Sequence, residues 1–77
     1  MKTDIFKINL ASPPDRELLV AMINVENEQW AEVNQESGNL TVEIYPRQNG
    51  QPWVFDLEAT LKVLQAAKQR LTGNPNP

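Results

Sequence analysis

The sequence predicts an α+β fold: a small antiparallel β-meander of three to four strands with one C-terminal amphipathic helix packed on one face. Three observations predict it. Apolar and polar residues alternate through 3–10, 29–36 and 40–45, the period of half-buried strands. Turn signals separate these runs: Pro13-Pro14, Ser37-Gly38-Asn39 and Asn49-Gly50. After Asp56 the apolar spacing changes to the helical period and holds it to Leu71. With 77 residues there is room for one domain, taken as 1–72, with 73–77 as a disordered C-terminal tail.

In the first run Phe6, Ile8 and Leu10 share one side, and Ile5, Lys7 and Asn9 the other. Pro13 and Pro14 end it, since two prolines cannot sit inside a sheet. Residues 13–24 admit two readings. Ser12, Pro13 and Asp15 resemble a helix start, whereas 18–25 reads as a strand apolar on both faces. The strand is favoured, because 26–28 is a short turn into the next strand and hairpin-linked neighbours are the simplest topology.

In 29–36, Ala31 and Val33 point inward and Trp30, Glu32, Asn34 and Glu36 outward. In 40–45, Leu40, Val42 and Ile44 point inward and Thr41, Glu43 and Tyr45 outward. Residues 46–52 form a loop, and 53–55 can add a short extended piece. Asp56 reads as an N-cap and Gly73 as a C-cap. Leu57, Leu61, Leu64 and Leu71, with Ala67 and Thr60, make one stripe, expected to pack on Phe6, Ile8, Ala31, Val33, Leu40, Val42 and Ile44.

Composition excludes several functions. The chain has no cysteine and no histidine, so thiol chemistry, histidine-based acid–base catalysis and the usual zinc ligands are absent. No cofactor, metal site or catalytic residue is expected. The longest apolar run, 18–23, is six residues against the roughly 20 of a membrane span. No membrane association is expected, and the default is a soluble cytoplasmic protein. The net charge is −3. Residues 1–56 hold four basic and nine acidic side chains, and 57–77 hold three basic and one acidic. That distribution argues against nucleic acid as a partner.

Two surfaces are candidates for binding. If the third and fourth strands pair, Trp30, Glu32 and Asn34 lie beside Glu43 and Tyr45, an exposed aromatic and acidic face to which Val20 and Met22 could add. Such a face suits a protein partner or self-association. The loop 45–53 carries Arg47 and Trp53 and suits a small ligand, provided it forms a concave pocket. The alternative for that loop is structural, with Trp53 and Phe55 closing the end of the core.

The stretches Asp15-Arg16-Glu17, Glu28-Gln29-Trp30-Ala31-Glu32 and Tyr45-Pro46-x-x-x-Gly50-x-Pro52-Trp53-x-Phe55-Asp56 resemble a family of small uncharacterised bacterial, largely cyanobacterial, proteins of unknown function. The resemblance runs from Asp15 to Leu71. It implies a strand-rich domain ending in a helix and supplies no catalytic residues. The expectation is therefore a non-enzymatic protein-interaction module using the outer sheet face, with small-ligand binding at the loop 45–53 as the alternative.

Overall fold

The computed structural model describes residues 5–14 and 18–73. Strands β1 (Phe6–Ala11), β2 (Val20–Val25), β3 (Glu28–Asn34) and β4 (Thr41–Ile44) precede one helix, α1 (Leu57–Thr72). The strands form one antiparallel sheet in the order β1-β2-β3-β4, so each strand pairs with its sequence neighbour. The helix packs on one face, and the fold is α+β as the alternation and the change of period predict.

The ambiguous segment is a strand from Val20 onward, with Leu18 and Leu19 leading into it about half exposed. Asp15, Arg16 and Glu17, and residues 74–77 of the expected tail, lie outside the described residues. Residues 53–55 take no part in the sheet.

Both helix caps form as their residue types predict. The Asp56 carboxylate accepts the Ala59 N–H at 2.9 Å, and Gly73 takes φ 70° while its N–H donates to the Gln69 carbonyl. Glu58 in the first turn and Arg70 in the last complement the helix dipole.

One irregularity reorders the core. Ala21, Met22 and Ile23 pair with Val33, Glu32 and Ala31, but Asn24 pairs with Gln29. Trp30 is the additional residue, and β3 bulges there. The bulge reverses the facing of everything N-terminal to Ala31. Trp30 therefore joins Ala31 and Val33 on the helix side, 4% exposed. Its ring lies 5.6 Å from Phe6 and 5.1 Å from Phe55, and Phe6 and Phe55 stand 4.9 Å apart, edge-on. Such pairs contribute about 0.5–1.5 kcal/mol each beyond their buried area. The outward indole that strict alternation predicts is thus corrected: Trp30 is core.

The helix stripe also shifts. Val63, Ala67 and Leu71 are the buried line, with Leu64 partly buried beside it. Leu57 and Leu61, expected in the core, are 68% and 51% exposed. Ala21, Ala31 and Ala67 are all fully buried in the core between the helix and the sheet, and the helix lies mainly over β2 and β1. It contacts β1, β2 and β3 and leaves β4 uncovered.

Candidate interaction surfaces

The outer face of the sheet carries a polar network. Glu32 and Glu43 are register partners across β3 and β4. The Asn34 side-chain amide donates to both, at 3.1 Å to Glu32 and 2.8 Å to Glu43. The Tyr45 hydroxyl donates to the second Glu32 oxygen at 3.3 Å, and the Asn34 side-chain oxygen Oδ1 accepts the Glu36 N–H. Glu32 and Asn34 are buried, at 6% and 2% exposure, and neither Glu32, Glu43 nor Tyr45 lacks a partner. Charge-assisted bonds of this kind hold two opposed carboxylates in place. The exposed face expected from Trp30, Glu32, Asn34, Glu43 and Tyr45 is therefore not formed. Its indole has gone to the core, and its two central polar residues are buried. Val20 on this side is fully buried and Met22 half-buried.

The loop 45–53 does form a concavity. Its backbone is held by Tyr45 N–H to the Trp30 carbonyl (2.9 Å), Gly50 N–H to the Arg47 carbonyl (3.1 Å), and the Trp53 indole N–H to the Tyr45 carbonyl (3.0 Å). Trp53 stacks on Phe55 at 5.5 Å, so the loop also closes the core end. Arg47 lies 5.3 Å above the Trp53 ring and donates to the Pro52 carbonyl. The β2–β3 turn supplies the opposite wall, where the Glu28 carboxylate accepts the Gln48 N–H and Glu26 holds φ 58°. The cleft between them is about 400 Å³, bounded by Val25, Glu26, Glu28, Arg47, Trp53 and Phe55 among others. Arg47 and Trp53 were expected together. Glu26 and Glu28 form the facing wall because the β2–β3 turn brings 26–28 against 47–48.

A third surface has no counterpart in the sequence reading. Val42 and Ile44 pair with Val33 and Ala31, so they face the helix side, yet they are 44% and 60% exposed. Geometry explains why. A helix is about 10 Å across and strands lie about 4.8 Å apart, so one helix covers two or three strands. Here those are β1 to β3. Arg70 stands on one flank of the buried stripe and donates to the Ile8 carbonyl of β1 at 3.1 Å. At 100° per residue Leu57 and Leu61 occupy the opposite flank, turned toward β4. Val42 and Ile44 on the edge strand, and Leu57 and Leu61 on the helix flank turned toward it, are thus all exposed apolar side chains, and the helix makes no contact with β4 across the step between them, the apolar shelf.

Among the described residues there is no group of three or more acidic side chains placed to hold a metal ion, and no helix long and apolar enough to cross a membrane. No protein-family model matches the chain, and no curated protein or solved structure matches it.

Proposed function

We propose that this chain is a non-enzymatic protein-interaction module whose docking surface is the apolar shelf of Val42, Ile44, Leu57 and Leu61, in place of the outer face. One observation carries the reading: among the described residues, two strand residues on the core side of the sheet and two leucines on the helix flank toward β4 stay exposed. Contiguous exposed apolar surface on a small domain marks a place where another surface binds. The chain's lack of cysteine and histidine, and the tying of Glu32 and Glu43 by Asn34, support a role without catalysis. The test compares the native chain with Leu57→Lys/Leu61→Lys in two measurements, molecular mass in solution and the set of proteins captured from the source organism. A lower mass, or loss of a captured protein whose direct binding is reproduced with purified components, supports the shelf. Identical mass and an identical captured set overturn it.

The cleft favours a second reading, small-ligand binding, because Arg47 is held in place by the Trp53 ring and the Pro52 carbonyl opposite two carboxylates. Shifts of the Trp53 indole resonance on titration with small carboxylates and other metabolites support it. No shift at about millimolar ligand, the weak end of specific affinity, overturns it.

A further inference from the structure

We propose that the occupant of the shelf is a second copy of this chain, joined by antiparallel pairing of β4 with its counterpart about a two-fold axis at Val42. The proposal rests on the shelf being a docking surface, as argued above. It adds the identity of the partner and the geometry of the joint.

The two edges of the sheet are treated differently. At β1 the Arg70 guanidinium reaches around to the Ile8 carbonyl, and Lys7 is exposed on the same strand. Charged side chains laid on an edge block strand addition. Strand β4, Thr41–Ile44, contains no lysine, arginine or proline, and its one charged side chain, Glu43, is bonded by Asn34 on the outer face.

The orientation of its backbone follows from one bond. Tyr45 N–H donates to the Trp30 carbonyl at 2.9 Å. In an antiparallel ladder the bonded pairs alternate, so Glu43 and Thr41 also direct their N–H and C=O groups at β3. Val42 and Ile44 therefore direct theirs away from the sheet, toward the open edge.

Chemistry selects the register. With the axis at Val42, that residue exchanges both backbone bonds with its counterpart, and Leu40 pairs with Ile44 of the second copy. Thr41 then stands opposite Glu43 of the second copy on the outer face, a hydroxyl against a carboxylate. Moving the axis to Glu43 sets two carboxylates face to face. At Ile44 it brings Pro46, which has no N–H, opposite Val42. At Thr41 it sets Ile44 against the turn at Gly38, where φ is 90°. An axis at Val42 is perpendicular to the sheet, so both helices lie on the same face of the joined sheet. Their Leu57 and Leu61 flanks then look at each other across a seam of Leu40, Val42 and Ile44.

The test is amide hydrogen exchange together with sedimentation, on the full chain from about 10 μM to about 1 mM, the concentration range of weak to moderate association. Each copy carries a net charge of −3, so added salt should strengthen the association by screening. Expected is a doubling of mass, with exchange at the Val42 and Ile44 amides slowing by about tenfold or more while the Glu43 amide is unchanged. Val42→Pro removes an N–H that β3 does not use and should return the protein to monomer with its helical circular dichroism intact. Should Val42→Pro fail to fold, Val42→Lys keeps the N–H and sets like charges together on the seam, with the same expected result. A monomer throughout the range overturns the second copy. The docking shelf then still stands if Leu57→Lys/Leu61→Lys abolishes binding of a captured protein confirmed with purified components, and falls with it if nothing changes. A dimer whose Val42 and Ile44 amides exchange as in the monomer also overturns the proposal.

Discussion

Glu32 faces Glu43 directly across the β3–β4 ladder, and the Asn34 amide bonds both carboxylates. Like charges opposite one another in a sheet are destabilising unless something neutralises or bridges them. Asn34 is a bridge between them, and it is itself buried. Asn34→Ala should lower stability by about 2–3 kcal/mol, from two lost charge-assisted bonds and the repulsion they held in check. Adding Glu43→Gln should recover part of that loss. Urea denaturation followed by circular dichroism measures both, and an Asn34→Ala variant of native stability would contradict the network.

The bulge makes Trp30 a core residue, so its removal is a folding lesion before it is anything else. Trp30→Ala should cost about 3–5 kcal/mol, the range for emptying a buried large aromatic. Much of the stability of so small a chain would go with it. Trp53→Ala, at a half-buried ring, should cost clearly less. Thermal or urea unfolding of the two variants side by side decides the order.

Two leucines on one helix should behave in opposite ways. Leu71 is buried among Val63 and Ala67, and Leu71→Ala should cost about 2–5 kcal/mol. Leu61 is half exposed on the β4 flank, and Leu61→Lys should change monomer stability by no more than about 0.5 kcal/mol. Denaturation at a concentration where the chain is monomeric separates this from any effect on association.

The turn before β3 stores strain. Glu26 holds φ 58°, a left-handed conformation that costs a residue with a side chain about 1–2 kcal/mol. Glycine escapes that cost but gains freedom in the unfolded chain, worth about 0.4–1 kcal/mol. Glu26→Gly should therefore stabilise the protein by a net amount on the order of 0.5–1 kcal/mol. A rise in melting temperature checks it.

These four cases also mark what the residues disclosed in advance. Alternation in Val42-Glu43-Ile44 and Ala31-Glu32-Val33, the cap at Asp56 and the glycine at Gly73 carry their local structure in their own chemistry, and each is found as expected. Trp30 is different. A bulge is a count of two residues against one, and one strand alone does not contain it. The buried helix face departs from the predicted stripe because Leu57, Leu61, Leu64 and Leu71 fit the helical period as well as Val63, Ala67 and Leu71 do. The difference is made by the width of a helix against four strands, which leaves β4 outside its reach. Burial of Glu32 follows from Asn34 lying across two strands, a relation no single segment displays. Arg47 and Trp53 come together because they share one short loop, and the acidic wall facing them comes from a distant turn.

The placement of the two indoles gives the protein a pair of optical reporters in different surroundings. Trp30, sealed among aromatic rings, should emit toward the blue and resist quenching by acrylamide. Trp53, beneath a guanidinium at the rim of the cleft, should emit further to the red and yield to the quencher. Trp53→Phe leaves an intrinsic gauge of unfolding, and the difference from the native spectrum isolates a probe of the cleft, so loss of structure and filling of the site can be followed in one cuvette without a label.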